Sequence, residues 1–296
     1  MNRSWLFCPG GDEAKMAKAC TAGADAVIID LEDSVAEQAK SEARKLAAEY
    51  VRRRGVAQQP ELWVRINPIA TLLGRDDLAS IVPAAPSGIV LPKTSSGADV
   101  EACDRILTDC EMASGLRVGG IQIVAIATET AQSIFALNTY ASGSDRLAGL
   151  TWGAEDLPVA VGASGGRWDD GSFTDLCRLA RSLCLAGAAV AGVPAFETVY
   201  PAFRDLDGLR DYAHRGRYEG FAGMMAIHPA QVPIINAAFT PTASELDHAR
   251  RVVAAFAANP DAGVVALNGR MLDAPHLAQA RRLLAMVPHG APASGD

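Results

Sequence analysis

No apolar run in these 296 residues approaches the roughly 20 that a membrane-spanning helix needs. The stretch from Met1 to Gly11 carries one Arg and only a short apolar patch before Pro9, too little for a signal peptide. A soluble, cytoplasmic protein is the expectation. Acidic charge predominates: the formal net charge is −7, which argues against a nucleic-acid or anionic-membrane footprint, since both call for basic clusters. The one basic run, Arg52-Arg53-Arg54, ends a predicted helix and complements its dipole. An anionic substrate must therefore be gathered by a few local cations. Aromatic residues make up 6% of a chain that is 49% hydrophobic, which predicts an aliphatic, Ala-rich core of the kind that fills an α/β barrel.

Nucleophile and metal signatures are sparse too. The six cysteines include no C-x-x-C pair. Cys103/Cys110 and Cys177/Cys184 are spaced for one helix face, so buried reduced thiols are expected rather than disulfides or zinc. His214, His228, His248, His276 and His289 form no ligand pair. Neither a G-x-G-x-x-G nor a Walker A motif occurs. The Gly162–Gly166 stretch is read as off-register for a G-x-S-x-G elbow, leaving a serine hydrolase with little support.

What is present is alternation. Short apolar runs at Trp5–Cys8, Ala26–Leu31, Leu62–Ile66, Gly88–Leu91, Ile121–Ala127, Leu147–Trp152, Gly192–Ala195 and Gly223–Ile227 are separated by amphipathic stretches such as Ala36–Arg54. Eight strands alternating with helices predict a TIM (β/α)8 barrel over residues 1–238, with a doubly wound sheet as the alternative. Residues 239–296 read as a C-terminal helical extension. It has a helix Ser244–Ala258 capped by Ser244, an apolar run Val264–Leu267, a helix Pro275–Met286 and a frayed tail from Pro288. The extension is short for an independent core, so it is expected to pack on a barrel or a neighbouring subunit.

Charged groups follow nearly every run: Glu32-Asp33, Arg65, Lys93, Glu129, Glu155-Asp156, Glu197 and His228. Barrel enzymes build their sites at that C-terminal mouth. Glu129 and Asp156, on successive strands, offer an oxygen-only pair suited to Mg2+, or are solvated loop acids. Arg65 is placed either to capture a substrate carboxylate or to pair with Glu32 and Asp33, and the two roles can coexist. The crowding of Glu32 and Asp33 calls for an offsetting cation. Ser34 reads as the cap of the next helix, and Asp273 as a cap before Ala274-Pro275.

Eight segments in order carry a resemblance: R-S-W-L-F-C-P-G (Arg3–Gly10), D-L-E-D-S-V (Asp30–Val35), V-R-I-N-P (Val64–Pro68), L-P-K-T (Leu91–Thr94), G-A-E-D-L (Gly153–Leu157), A-I-H-P-A-Q-V (Ala226–Val232), D-H-A-R-R-V-V (Asp247–Val253) and N-G-R-M-L-D-A-P (Asn268–Pro275). Together they resemble the citrate lyase β-subunit, or HpcH/HpaI aldolase, family. The resemblance implies a homotrimer (or hexamer) whose C-terminal segment crosses to the next subunit. It implies Mg2+ on Glu129 and Asp156, with Mn2+ as a substitute, and Arg65 on a 2-keto acid carboxylate. Glu32 and Asp33 then shape the metal's water shell, and Asp273 is delivered by a neighbour for proton transfer. Phe7, Lys18, Ile227 and His228 match positions at the thioester and substrate end, and Glu155 joins the substrate-binding set. The A-I-H-P version resembles the branch that uses coenzyme A, which implies cleavage of citramalyl-CoA or malyl-CoA to pyruvate or glyoxylate plus acetyl-CoA. Rival readings are a malyl-CoA thioesterase, a subunit acting on an acyl-carrier-protein thioester, and a non-catalytic assembly partner. Departures from the family pattern fall at Glu197, Asp12 and Gly165-Gly166-Arg167.

Overall fold

The computed structural model describes residues 2–55 and 59–286; the expected tail from Pro288, and His289, lie outside them. Eight strands, β1 Ser4–Pro9, β2 Ala26–Asp30, β3 Glu61–Arg65, β4 Gly88–Leu91, β5 Gln122–Ile126, β6 Leu147–Thr151, β7 Ala195–Glu197 and β8 Gly223–Ala226, close into one barrel. Every pairing is parallel and in chain order, and β8 returns to β1 through Ser4↔Met224. This closure excludes the doubly wound alternative. Helices α1 Glu13–Cys20, α2 Lys40–Arg54, α3 Leu72–Ile81, α4 Gly97–Ala113, α5 Asp156–Ala160, α6 Asp175–Ala191 and α7 Leu206–Glu219 lie in the crossovers, α8 Val232–Ala238 follows β8, and the β5–β6 crossover carries only 3-10 turns. No helix among the described residues is long and apolar enough to cross a membrane.

Strand side chains alternate between two packed layers. Leu6, Val27, Ile29, Val64, Ile89 and Ile123 face the helices, together with the helical thiols Cys103, Cys177 and Cys184. Trp5, Ile28, Trp63, Val90, Val124, Phe196 and Met225 fill the barrel interior. That interior departs from the aliphatic expectation, because Trp5, Trp63 and Phe196 sit at its centre. Trp5 meets Trp63 at 4.9 Å and Phe196 at 4.7 Å between ring centroids. Gly88 makes room for Trp63, whose ring would lie 2.1 Å from any Cβ there.

The predicted seventh strand is displaced. Gly192 caps α6 in the left-handed conformation, a common helix terminator, and the strand begins three residues later at Ala195. Two expected caps also move. Ser34 bonds within the loop after β2 and does not cap α2, whose N-cap is Ala39. Thr242, paired with Glu245 in a capping box, replaces Ser244.

A second unit begins at Thr240, the first being Asn2–Phe239. It contains α9 Ala243–Ala257, an antiparallel hairpin β9 Val264–Leu267 and β10 Arg270–Asp273, and α10 Ala274–Ala285. Ala249, Val252, Val265, Leu272 and Ala280 form its own small core. The hairpin turns at Asn268-Gly269, both at positive φ (51° and 76°), the signature of a tight two-residue turn.

Candidate active site

Inward alternation along β2 and β3 places Asp30 and Arg65 on the barrel interior as direct register partners at the mouth. Arg65 Nε and Nη2 grip Asp30 bidentately at 2.7 and 2.8 Å, and its guanidinium lies 5.0 Å from the Phe7 ring. Burial works against the Asp30 charge, but Arg65 overcomes it and holds the carboxyl below its usual range. Burial likewise opposes the Arg65 charge, and Asp30, Glu32 and Asp33 raise it above its ordinary value. The remaining nitrogen, Nη1, lies 3.0 Å from Glu32 and 3.2 Å from Asp33. Both expected roles of Arg65 therefore remain physically open, though its principal partner is Asp30, which sequence reasoning missed. An Asp at the end of the apolar run Ala26–Leu31 was the available signal.

Asp30 also organises the turn that follows. Its carboxylate accepts from the backbone N–H groups of Glu32 and Ser34, each at 3.0 Å. This directs Glu32 inward and leaves Asp33 more exposed. Both Glu32 carboxylate oxygens are buried, with Arg65 Nη1 3.0 Å from Oε2 and Lys93 Nζ 3.1 Å from Oε1, and burial raises the Glu32 pKa despite these two cations.

Lys93 is the second residue whose role was missed. It follows β4 with φ 53°, and its backbone N–H donates to Glu129 Oε2 at 2.5 Å. Its ammonium reaches Asp156 Oδ1 at 2.7 Å and Glu32 Oε1 at 3.1 Å. Burial opposes the ammonium charge, but Asp156, Glu129 and Glu32 raise the pKa above its ordinary value. Glu129 itself is pushed up to about 8, mainly by burial, with Lys93 pulling down and Asp156 pushing up. Gly153 allows this packing, since a Cβ there would stand 2.5 Å from Glu129 Cγ.

Asp30, Arg65, Glu129 and Asp156 line a cavity of about 430 Å³ at the mouth together with Phe7, Asp33, Ile227 and Glu155; Glu32 and Lys93 touch these residues but are not part of its lining. Asp30, Glu32, Asp33, Glu129 and Asp156 face only Arg65 and Lys93, so the acids outnumber the bases. Buried carboxylates in excess of the cations beside them are costly unless a further cation or donor arrives. A hard divalent cation fits this all-oxygen set, with Glu129 and Asp156 as ligands and other positions left to water and substrate. Among the described residues no group of three or more His, Cys, Asp or Glu is placed to hold a metal ion, so a cation here would depend on Glu129 and Asp156, with water and substrate completing its shell.

Other expected residues sit elsewhere. Glu197 does not enter the mouth. Next to inward-facing Phe196, it points outward, where Trp152 Nε1 and Tyr212 OH donate to Oε1 at 2.6 and 2.7 Å and Arg181 Nη2 lies 2.6 Å from Oε2. Lys18 is exposed in the last turn of α1. The His228 side chain caps the turn Pro229–Gln231 and stacks on Phe203 at 5.1 Å. Asp273, in the second unit, is exposed at the start of α10, its carboxylate paired with His276. Gly162, Ser164 and Gly166 do carry the G-x-S-x-G spacing, a correction to the sequence reading. They occupy an exposed loop after α5 rather than a strand-to-helix turn, so no nucleophile elbow forms.

Comparison with known proteins identifies the family and the fold. The family model HpcH/HpaI aldolase/citrate lyase matches residues 3–229. The citrate lyase subunit beta of Haemophilus influenzae is 34% identical over 98% of each chain. A (3S)-malyl-CoA thioesterase of Cereibacter sphaeroides is also 34% identical, over 96% of this chain and 93% of that one. The solved structure of CitE from Mycobacterium tuberculosis, in complex with magnesium, acetoacetate and coenzyme A, superposes with a TM-score of 0.77 at 33% identity. It covers 96% of this chain and 97% of its own. The chain therefore belongs to the HpcH/HpaI aldolase/citrate lyase family.

Proposed function

We propose that this protein is a Mg2+-dependent carbon–carbon lyase that cleaves a 3-hydroxyacyl-CoA, such as citramalyl-CoA or malyl-CoA, into a 2-keto acid and acetyl-CoA. The observation that carries the reading is the buried acid mouth. Glu129 and Asp156 flank the Lys93 backbone and ammonium, and the buried Glu32 carboxylate lies between Arg65 and Lys93. Bound by Glu129 and Asp156, Mg2+ would act as a Lewis acid toward the keto-acid oxygens. Arg65 holds the substrate carboxylate through Nη1 while Asp30 fixes the opposite edge of the guanidinium. Glu32, raised by burial, accepts the hydroxyl proton, and Asp33 orders water at the more exposed side. The C–C bond then breaks, its electron pair passing toward the thioester carbonyl, and the α-carbon is protonated to give acetyl-CoA. Lys93 contributes positive charge beside these acids.

Phe7 and Ile227 form the apolar side of the acyl pocket, with Lys18, Glu155 and His228 assigned to the thioester arm. Asp273 of a neighbouring subunit exchanges the proton at the α-carbon. Its pairing with His276 holds it below the usual carboxylate range. This assignment requires an oligomer, which we propose to be a homotrimer or hexamer; a cytoplasmic location and Mn2+ in place of Mg2+ belong to the same proposal.

The similarity to (3S)-malyl-CoA thioesterases supports a second reading, in which water attacks the thioester. Purified protein, Mg2+ and citramalyl-CoA or malyl-CoA separate the two. Keto acid that disappears on chelation supports the lyase, whereas free CoA without keto acid supports the thioesterase. Silence on both would overturn each and point to a carrier-protein substrate or an assembly partner.

A further inference from the structure

Lys40 opens α2, yet it is buried at 8% exposure. Its ammonium lies 3.0 Å from the Leu31 carbonyl, 2.8 Å from the Glu32 carbonyl and 2.7 Å from Asn67 Oδ1. All three acceptors are neutral. An ammonium taken from water into such a setting is expensive, so the placement needs a reason beyond capping a helix. The acceptors supply one. Leu31 and Glu32 form the turn leaving β2, and Asn67 leaves β3. Asn67 Nδ2 returns to the Leu31 carbonyl at 3.0 Å and to Asp77 at 2.7 Å, and Arg44 Nε in turn holds Asp77 at 2.6 Å. Two cations of α2 thus reach behind the mouth and tie two adjacent strand ends together. On the mouth side of that tie stand Glu32 and Arg65, 3.0 Å apart.

We propose that Lys40 is a positioning residue for the acid mouth. It clamps the Leu31–Glu32 turn against Asn67 so that the Glu32 carboxylate stays aimed at Arg65 and at the cation held by Glu129 and Asp156. The cation half of this inference rests on the Mg2+ reading above; the clamp itself does not. A merely structural Lys40 would lower global stability and leave the mouth unchanged once folded.

The test uses the full-length Lys40→Met variant, with amide hydrogen exchange over residues 31–35 and Mg2+ titration by calorimetry. The expected result is exchange at least tenfold faster in that segment, unchanged exchange across β5, and Mg2+ binding at least tenfold weaker. Unchanged exchange at 31–35, or acceleration spread evenly through the barrel, overturns the clamp. Local acceleration with wild-type Mg2+ affinity overturns its link to the cation. Wild-type protein that takes no Mg2+ overturns the proposed function and the cation link together, and the exchange data still decide the clamp. Should Lys40→Met not fold, Lys40→Arg keeps the charge but cannot place its donors on all three acceptors. It should show the same local acceleration, and wild-type exchange in it would overturn the proposal.

Discussion

The backbone N–H of Lys93 donates to Glu129 Oε2 across 2.5 Å from a residue held at φ 53°. Non-glycine residues in this region carry a backbone cost of about 1–3 kcal/mol. Here that conformation lets one residue serve two acids, Glu129 by its main chain and Asp156 by its ammonium at 2.7 Å. The ammonium therefore competes with any metal for Asp156. Lys93→Met is expected to lower kcat at least 100-fold while Mg2+ binds as tightly as in wild type or more tightly. Calorimetry beside steady-state kinetics checks this, and markedly weaker Mg2+ binding would show that Lys93 helps to hold the metal.

Gly153 is the packing counterpart of that contact. A Cβ there would meet Glu129 Cγ at 2.5 Å, so Gly153→Ala must displace the carboxylate that the site depends on. Overpacking of this kind costs about 1–3 kcal/mol. A Mg2+ dissociation constant at least tenfold higher is expected, with modest loss in chemical denaturation. Wild-type affinity in a folded variant would count against Glu129 as a ligand.

The barrel was legible because its evidence is periodic and repeated: apolar runs, intervening helices, and charges after the runs at Glu32, Arg65, Lys93, Glu129 and Asp156. What failed was local. Gly192 was read into a strand although glycine is a strong helix terminator, and the shift turned Glu197 from a mouth residue into a buried anchor. Period-two alternation from Phe196 carries the information needed to see this. β10 was missed although Asn268-Gly269 signals a hairpin. Asp30 and Lys93 escaped assignment because their importance lies in distances across β2–β3 and between the ends of β4, β5 and β6. A linear pattern places such residues at the mouth without saying which of them touch.

Metal and pH should be linked through Glu129. In the folded chain this carboxyl keeps its proton up to about pH 8, whereas its ordinary value is 4.5. Between those values the folded state binds more protons than the unfolded state, so stability falls as pH rises. Mg2+ held by Glu129, as proposed, would bind the ionised form and offset the loss. The metal-free protein should therefore show a decreasing Tm from pH 5 to 8, and the Tm gain from saturating Mg2+ should be larger at pH 8 than at pH 6. A Mg2+ gain independent of pH would remove Glu129 from the linkage.

A charge network at the opposite end of the barrel should behave in the contrary way. Arg146, just before β6, donates to both Glu111 oxygens at 2.9 and 2.7 Å and to the Ile121 carbonyl at 3.0 Å, and Asp104 completes its shell. Glu111 is fully buried, and Gly119 and Ile121 add backbone donors to it. Removing one partner strands the other, which typically costs about 3–5 kcal/mol. Arg146→Met should thus lower stability by about that amount in urea denaturation. Replacing both partners, as in Arg146→Met with Glu111→Leu, should recover part of the loss, because no bare carboxylate then remains. Since none of these groups touches the cavity, Mg2+ affinity and KM should stay at wild-type values in every folded variant. A shift in either would mean that the two ends of the barrel are coupled, and that strain at the closed end reaches Glu129 and Asp156 through β5 and β6.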